Sequence, residues 1–447
     1  MTAHLKHSRI TKALTDRHGG AASFPEAEEN LNNVRVAIVL APDQARTAAG
    51  QASALTAIVT SCKCFASATL VAEPEVKLVK TLPIGDTVGA AATFLGAVVA
   101  ASVPCDTTHV VRIGSSVASD RESFVRCWWN GWIAGIVPAW DDRPLGASGN
   151  PLAGVFSGAL AVREIFATVL GYPRSGSRQS VLSLWEPGID PEIAAPGPAQ
   201  VYIPSRLWFV GLGHVGQGIL WALGLLPVCG IEAVLQDDQK AGEENEATGL
   251  LTTGDDLNRR KARIAADWLD KLGWSTRVIE RRHYGDIRLL PDDPAIVITS
   301  LDEPDARIQI ANTGFEYLID AGIGHGPIDF EALQIRVLKK GVDAATFWSS
   351  PDRSRSVDQL MEREPYRTLE GVSDRCGSLT LANASVAVPF VGAAVGALTV
   401  AQAIRLASMQ STIQMMQIQL GAPGMAVVGA TNTPPEESRG SIEIRLT

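Results

Sequence analysis

The sequence has no pair of cysteines at Cys-x-x-Cys spacing. Its six cysteines stand at positions 62, 64, 105, 127, 229 and 376. Cys62 and Cys64 are too close together for the usual zinc-finger spacing, so we expect no zinc site. The first residues, Met-Thr-Ala-His-Leu-Lys, form no apolar signal peptide. We therefore expect a cytoplasmic protein, and disulfides are rare in that compartment.

An excess of positive charge is also missing. The 39 Lys and Arg residues are outnumbered by 48 Asp and Glu residues, which gives a net charge of −9 and argues against nucleic-acid binding. Two apolar stretches, residues 88–103 and 385–404, raise the question of a membrane span. Both are rich in Ala and Gly, the first is short, and the second contains Pro389 and Gln402. We predict that both are buried helices, with no membrane partner.

A glycine-rich turn follows one of the apolar strands. Residues 207–216 read Leu-Trp-Phe-Val-Gly-Leu-Gly-His-Val-Gly, and the apolar run at 219–226 indicates a helix after the turn. Gly211 allows the tight turn, and Gly213 lets the backbone approach phosphate oxygens. Gly216 lets the helix pack on the strand with its N–H groups directed at the anion. The motif predicts a nucleotide site.

Polar residues beyond this motif distinguish ATP from NAD. The next strand, residues 231–235, leads to Asp237, whose carboxylate can accept hydrogen bonds from ribose hydroxyls in either nucleotide. Asn245 follows eight residues later and Lys261 a further sixteen, while a later strand, residues 295–300, leads to Asp302. A Lys can meet ATP phosphates, and a strand-end Asp can hold Mg²⁺. Hydride transfer needs neither.

This spacing resembles the ThiF-type family of ubiquitin-activating-like adenylyltransferases. The resemblance covers residues 205–320 and 384–405, where the sequence Ala-Ser-Val-Ala-Val-Pro-Phe-Val-Gly looks like the family's closing helix. It implies an enzyme that uses ATP and Mg²⁺, with Asp302 as the metal-binding residue. It also implies a set of residues that bind the nucleotide: Gly211, Gly213, Gly216, Asp237, Asn245, Lys261 and Asp302.

Two positions depart from the family pattern. Gln239 replaces a second acidic residue, and Thr248 replaces a phosphate-binding Arg. Losing a cation that contacts developing phosphate charge can remove about 3–4 kcal/mol of transition-state stabilisation, by analogy with one oxyanion-hole donor. Arg259 and Arg260, beside Lys261, are candidates to compensate. These two departures are also compatible with a protein that acts as a catalytically silent scaffold.

The chain contains an internal repeat. Residues 151–162 and 389–400 match without a gap at Pro151, Gly154, Gly158, Ala159, Leu160 and Val162. The strand at 34–41 would correspond to that at 205–210, but Pro-Asp-Gln at 42–44 stands in place of the glycines, and its carboxylate would repel phosphate. We predict an α/β fold of two tandem Rossmann-like ThiF-type halves, inactive then active. Mostly parallel sheets would carry helices on both faces.

Segments rich in Gly and Pro indicate the domain boundaries. We predict an N-terminal arm (1–33), an inactive half (34–175), a linker (176–204) and an active half (205–447). The active half would include a cysteine-bearing segment at about 340–383 and a C-terminal tail at 408–447. By resemblance to homodimeric relatives, a fused pseudo-dimer implies that Arg9 or Arg17 of the arm reaches the second half's phosphates. Arg9 is our catalytic candidate. By default, the arm would be an amphipathic helix on the surface, and further oligomerisation is left open.

Cys376 is the candidate nucleophile. It lies in the loop-like sequence Ser-Asp-Arg-Cys-Gly-Ser, where relatives carry an acyl-accepting thiol, and Arg375 would favour the thiolate. Its register differs from that of sulfur-carrier relatives by about five residues. We expect Cys229, after the helix of the glycine motif, to be a buried structural cysteine. We expect activation of a small ubiquitin-like protein, thioester capture on Cys376 and transfer to a ubiquitin-conjugating-like enzyme. Sulfur-carrier adenylation is the alternative, and an NAD(P)-dependent oxidoreductase is an alternative of another class.

Overall fold

The computed structural model describes residues 7–115, 123–146, 149–348, 359–369, 375–438 and 440–446, with only the backbone of 375–378. The strands of the first half are β1 Arg35–Leu40, β2 Ser67–Val71, β3 Lys77–Leu82, β4 Gly85–Thr87, β5 Val98–Ala100, β6 His109–Ile113, β7 Val125–Asn130, β8 Ile133–Pro138 and β9 Ser180–Ser183. Those that follow are β10 Gln200–Pro204, β11 Arg206–Val210, β12 Glu232–Gln236, β13 Ser275–Ile279, β14 Ile296–Thr299, β15 Tyr317–Ile323, β16 Ala332–Lys339, β17 Thr412–Ile413, β18 Met415–Gln419, β19 Val427–Val428, β20 Thr431–Asn432 and β21 Ser441–Arg445.

Helices alternate with these strands. Those of the first half are α1 Ser8–Thr15, α2 Phe24–Asn32, α3 Pro42–Ala45, α4 Ala48–Cys64, α5 Val88–Phe94 and α6 Pro151–Val169. Those of the second half are α7 His214–Gly224, α8 Glu243–Thr248, α9 Lys261–Lys271, α10 Pro304–Ala311, α11 Glu364–Leu369, α12 Arg375–Asn383 and α13 Pro389–Ala407.

The two halves contain sheets with the same strand order. The first sheet runs β5-β2-β1-β6-β7-β8-β9 and the second β13-β12-β11-β14-β15-β16-β18-β19. In each sheet the first five strands are parallel and the following strands are antiparallel. The fold class predicted from the sequence is confirmed. Because the chain leaves β1 and β11 in one direction and returns on their other side, a crevice opens at their carboxyl ends.

Four helices join the halves through a common core. Helix α4 packs on α6 and α7 packs on α13, while α6 and α13 contact each other across the boundary. The Phe166 and Phe390 rings meet edge to face with centroids 5.4 Å apart. Trp221 donates its indole N–H to the Thr56 hydroxyl at 2.9 Å. The halves therefore share one continuous apolar core.

The repeated glycines explain how these helices approach so closely. A Cβ atom added at Gly158 would lie 2.4 Å from the Ser53 carbonyl oxygen of α4. The same atom added at Gly396 would lie 2.2 Å from the Gly218 carbonyl oxygen of α7. Matching glycines thus serve matching helix crossings, which gives the sequence repeat a structural meaning.

Two helices, α6 and α13, are long and apolar enough to cross a membrane by length and composition alone. In each, 89% of the apolar window is buried inside the protein, because these are the helices at the boundary between the halves. The apolar stretch at 88–103 is not one helix as we predicted. It forms α5 and then β5, because Gly96, with φ of +95°, breaks the helix and β-branched Val98 and Val99 favour a strand.

The N-terminal arm is more deeply placed than predicted. Helix α1 is amphipathic, but its apolar side enters the core and its polar side is also covered. The Lys12 ammonium donates to the Tyr366 hydroxyl at 2.8 Å and to the Leu381 carbonyl at 2.9 Å, and pairs with Asp16 at 3.0 Å. The arm therefore holds α11 and the end of α12 against the second half.

Segments we expected to be connectors also contain sheet strands. Within the predicted linker, β9 joins the first sheet and β10 pairs with β21. Within the predicted tail, β18 pairs with β16 and supports β19. In β18 the buried Met416 and Ile418 alternate with the exposed Gln417 and Gln419, as in a sheet with one covered face.

Candidate nucleotide-binding site

A cavity of about 450 Å³ opens at the carboxyl ends of β11, β12 and β14. It is lined by most of the residues that sequence analysis singled out, namely Arg9, Gly211, Gly213, Asp237, Asn245, Lys261 and Asp302. Gly216 lies beneath the turn, where an added Cβ would come within 2.2 Å of the Gly211 carbonyl oxygen. Its role is the predicted packing of helix on strand.

The glycine loop has the geometry of a phosphate cradle. Gly211 has φ of +86°, which favours glycine. Gly213 caps the N-terminus of α7, and a Cβ added there would meet nothing within 4 Å. Nothing in the protein therefore requires Gly213 to lack a side chain, whereas a ligand approaching the backbone would. The N-terminus of a helix also favours an anion at this place.

Asp237 is held by the loop it faces. Its two carboxylate oxygens accept hydrogen bonds from the backbone N–H of Leu212 at 2.7 Å and of Gln239 at 2.8 Å. Burial raises the pKa of Asp237, while the Leu212 N–H and the Lys261 cation oppose that rise. Each carboxylate oxygen retains a lone pair, which leaves the group able to accept ribose hydroxyls.

Lys261 lies across from Asp237 at the start of α9. Its ammonium donates to the Gln239 side-chain oxygen at 2.7 Å. Burial lowers the pKa of Lys261, and the charges of Asp237 and Glu244 act against this. Gln239, one of the two departures from the family pattern, thus orients the lysine without neutralising it. Asn245 accepts a hydrogen bond from the Gly242 N–H at 2.9 Å, which fixes its amide at the cavity wall.

The arm supplies Arg9 to the same cavity. Its Nε donates to the Ser385 carbonyl at 2.8 Å. Burial lowers the pKa of Arg9, and Glu244 and Asp302 are the carboxylates whose charges oppose it. Arg17 instead donates to the Leu170 carbonyl at 2.9 Å and lies over the Tyr172 ring of the first half. Of the two expected arginines, Arg9 is the one at the cavity.

Sequence analysis missed an ionic cluster at the cavity floor. Asp320 is fully buried, accepts a hydrogen bond from Thr299 at 2.8 Å, and pairs with Arg307 at 3.3 Å and Arg336 at 3.4 Å. A charged residue inside the apolar strand β15 was the available signal, since carboxylates are rarely buried without partners.

The cavity wall carries more cationic side chains than carboxylates, although three of the arginines pair with carboxylates outside it, Arg307 and Arg336 with Asp320 and Arg281 with Asp286. Its cationic side chains, Arg9, Lys261, Arg281, Arg282, Arg307 and Arg336, outnumber its carboxylates, Asp237, Asp238, Asp302 and Glu303. Neither of the candidates to compensate for Thr248, Arg259 and Arg260, lines the cavity. Arg259 pairs with Asp256 and Asp267, and Arg260 donates to the Asp238 carbonyl.

The corresponding place in the first half is filled from within. Asp43 follows β1, and its carboxylate accepts hydrogen bonds from the Ser115 backbone N–H at 3.2 Å and hydroxyl at 2.9 Å. A Cβ added at Gly114 would lie 2.7 Å from the same carboxylate. The first half therefore has a carboxylate in place of the glycine loop, and this carboxylate binds the segment that follows β6.

Comparison with known proteins agrees with this two-part organisation. The profile described as the BilD N-terminal domain matches residues 35–184, and that described as the BilD C-terminal domain matches residues 203–410. The chain belongs to the BilD family.

A curated relative supports this family assignment. The Bacterial E1-like protein BilD of Collimonas sp. (strain OK412) is 34% identical over 296 residues, which are 64% of this chain and 64% of the relative. The match therefore spans less than two thirds of that relative's length.

Solved structures of E. coli MccB are similar only at a low level. The crystal structure of MccB gives a TM-score of 0.34 at 14% identity, over 54% of this chain and 62% of that one. The structure of MccB with MccA-N7isoASN gives 0.33 at 14% identity, over 52% and 66%. The family assignment rests on the two BilD profiles.

Two cysteines differ from expectation in this BilD-family chain. Cys376 falls at the start of α12, so its backbone is helical where we predicted a loop, and its side chain lies outside the described residues. The segment at 340–383 contains further residues outside the described ranges. Cys229, which we expected to be buried, is exposed because the turn after α7 runs along the surface.

Asp302 provides a single carboxylate on the side of the cavity where nucleotide phosphates would bind, which suits Mg²⁺. Among the described residues, no group of three or more His, Cys, Asp or Glu side chains could hold a metal ion by itself. Mg²⁺ needs only one or two carboxylates when nucleotide phosphates and water complete its shell. Asp302, exposed at the cavity and beside Glu303, fits that requirement.

Proposed function

We propose that this protein binds MgATP and adenylates the C-terminal carboxylate of a small ubiquitin-like protein. One observation carries the proposal. Residues from the arm, the glycine loop, β12, α8, α9 and the end of β14 all line the same cavity. Their spacing in the sequence was the basis of the resemblance to ThiF-type adenylyltransferases.

The reaction joins a carboxylate oxygen of the carrier to the α-phosphorus of ATP. The bond from the α-phosphorus to the bridging oxygen breaks, and pyrophosphate leaves with that oxygen and its electron pair. Negative charge grows on the departing phosphates, and preorganised cations stabilise it. Lys261 and Arg9 supply fixed positive charge, and Asp237 holds the ribose. Bound Mg²⁺ at Asp302 would add further charge on the phosphate oxygens.

We propose a second step in which the Cys376 thiolate attacks the adenylate carbonyl. A thioester forms, and AMP leaves with the carboxyl oxygen to which it was attached. The carrier would then pass to the cysteine of a ubiquitin-conjugating-like enzyme. If the enzyme stops at the adenylate, sulfur-carrier activation becomes the preferred function.

The two halves would act as a pseudo-dimer with one active site. Support comes from their shared strand order, from Asp43 in the first half's loop and from the arm that carries Arg9 to the second half. A silent scaffold would not need Lys261 and Asp302 at one cavity.

Carrier-dependent exchange of radiolabelled pyrophosphate into ATP tests adenylation. Wild-type protein with a matching ubiquitin-like carrier should support exchange, and Asp302→Ala should abolish it. Asp305→Ala removes a neighbouring carboxylate that does not line the cavity and should leave exchange unchanged. Tight NAD binding without MgATP binding in calorimetry would contradict the proposal, as would full exchange in Asp302→Ala.

The thioester step has a separate readout. Incubation with carrier and MgATP should give a covalent species that thiol reducing agents remove. Cys376→Ala should lose this species and retain pyrophosphate exchange, because adenylation requires no thiol. A thioester that persists in Cys376→Ala would move the nucleophile to another cysteine, with exposed Cys229 the first to test.

A further inference from the structure

The proposed function leaves one charge unaccounted for. Thr248 replaces a phosphate-binding arginine, and it is fully buried, with its hydroxyl donating to the Glu244 carbonyl at 2.8 Å. It does not line the cavity. Position 248 therefore offers no polar group to a nucleotide, and the neighbouring Arg259 and Arg260 are engaged elsewhere.

A different segment places two arginines in the cavity wall. The loop that leaves β13 carries Arg281 and Arg282, and both line the cavity. Buried bonds fix the base of this loop. The fully buried Gln236 amide donates to the Arg281 carbonyl at 3.2 Å, and the Asp237 N–H donates to the Ile279 carbonyl at 3.2 Å.

The far side of the same loop is also anchored. His283 is almost fully buried, and its Nε2 lies 3.2 Å from the Thr313 hydroxyl beyond α10. Arg282 is thereby held between an anchor at β12 and an anchor at the end of α10. The fold therefore fixes the position of Arg282 at the cavity.

The present partner of Arg282 can be exchanged. Its guanidinium pairs with Glu303, and the two side chains are 44% and 58% exposed. Exposed pairs of this kind contribute little to stability. Phosphate oxygens can displace this carboxylate because they also accept two parallel hydrogen bonds and carry more negative charge. Glu303 adjoins Asp302, so this guanidinium lies on the side where the metal-bound phosphates are expected.

Arg281 is less suited to the same role. Its guanidinium makes two hydrogen bonds with Asp286, at 2.9 and 3.0 Å, and Asp286 does not line the cavity. One nitrogen, Nη1, reaches both oxygens of that carboxylate, and the pair is as exposed as the Arg282–Glu303 pair. The difference is direction, because Arg281 is drawn toward a partner outside the cavity and Arg282 toward Glu303 at the cavity. Arg282 is therefore the cation with the better access to a nucleotide.

We propose that Arg282 is the phosphate-binding residue that replaces the missing arginine at position 248. This assignment rests on the proposed MgATP site. Arg282 lies in the loop between β13 and β14, on the Asp302 side of the cavity. Arg282 binds the β- and γ-phosphate oxygens and neutralises the charge that develops on pyrophosphate.

Calorimetric titration with MgATP and with AMP tests this role. Arg282→Ala should weaken MgATP binding at least tenfold and leave AMP binding unchanged, because AMP lacks the two outer phosphates. Arg282→Lys keeps the charge but cannot make two parallel hydrogen bonds, so it should recover only part of the loss. Arg263→Ala is the matched control, since Arg263 pairs with Glu280 at 2.8 Å outside the cavity. It should bind both nucleotides as the wild type does.

The outcomes separate this inference from the proposed function. Unchanged MgATP binding in Arg282→Ala would overturn the inference, as would equal losses for MgATP and AMP, which would indicate a structural role. Wild-type protein that binds MgATP but supports no exchange with any carrier would contradict adenylation and leave the binding result for Arg282 standing. Failure of the wild type to bind MgATP would contradict both.

Discussion

At the scale of single residues, Gly213 and Gly216 serve different needs within one motif. Nothing lies within 4 Å of a Cβ added at Gly213, whose φ of −81° is open to any residue. Gly213→Ala should therefore change the free energy of unfolding by less than about 1 kcal/mol. It should weaken MgATP binding at least tenfold, because the methyl group stands where phosphate approaches.

Gly216→Ala is the contrasting variant. Its Cβ would overlap the Gly211 carbonyl oxygen at 2.2 Å, so stability should fall with affinity. Denaturant unfolding and calorimetry on the two variants separate the effects. Wild-type affinity in Gly213→Ala would mean that phosphate does not bind at this loop.

His214 should make stability depend on pH. Burial lowers its pKa from 6.5 to about 4, and the Arg9 charge lowers it further, while the hydrogen bond that Nε2–H donates to the Val388 carbonyl at 2.8 Å opposes the shift. The unfolded state therefore binds the proton first as pH falls below 6.5. Stability is full above that value and is lost toward pH 4, by about 2 kcal/mol between pH 7 and 5.

His214→Gln keeps a donor for the Val388 carbonyl but cannot titrate. Unfolding free energies of wild type and variant at pH 7 and pH 5 give the comparison. The loss on acidification should be smaller in the variant by about 2 kcal/mol. Equal losses would show that other groups, such as buried His283, carry the dependence.

Most cavity residues could be predicted from the sequence because their spacing is a property of the chain. Asp237, Lys261 and Asp302 each follow or begin a recognisable element. Arg282 and Arg336 could not be found this way. The first sits in a loop whose path depends on Gln236 and His283, and the second reaches the cavity from a strand that pairs antiparallel to β15.

At the scale of elements, the glycine crossings of α6 and α13 should be sensitive to a single methyl group. Alanine favours a helix over glycine by about 1 kcal/mol. At Gly396 this gain is outweighed, because the new Cβ would lie 2.2 Å from backbone oxygen and the helices must separate. We expect Gly396→Ala to lower the free energy of unfolding by about 1–3 kcal/mol.

Because of the internal repeat, the first half offers an equivalent variant. Gly158→Ala should cost a similar amount in the first half, since its Cβ would lie 2.4 Å from the Ser53 carbonyl oxygen. Gly254→Ala is the control, with no atom nearer than 3.7 Å to the new Cβ. Denaturant unfolding gives all three values. Unchanged stability at Gly396 would mean that the crossing can relax.

Elements with strong local signals were predicted well, and those set by distant contacts were not. Strands β1, β11 and β14 are continuous apolar runs, and the structure places them within two residues of the expected ends. Helix α1 was expected on the surface because its sequence cannot show that Tyr366 and Leu381 cover its polar side.

At the scale of the whole molecule, one chain should bind one nucleotide. The second half has an open cavity, and the first half has Asp43 in the equivalent loop. Calorimetry with MgATP should give a stoichiometry of one per chain. Asp302→Ala should reduce binding without exposing a second site, and two sites of comparable affinity would show that the first half is functional.

Because Asp43 occupies the equivalent loop of the first half, only the second half should respond to changes in ATP concentration. A ligand stabilises only the state that binds it, so if the second half binds MgATP as proposed, ATP should slow local opening there. The first half carries a carboxylate at Asp43 instead, so its local opening should not depend on ATP concentration. Amide hydrogen exchange in this protein should therefore report energy charge from one half, with the other serving as a constant internal reference.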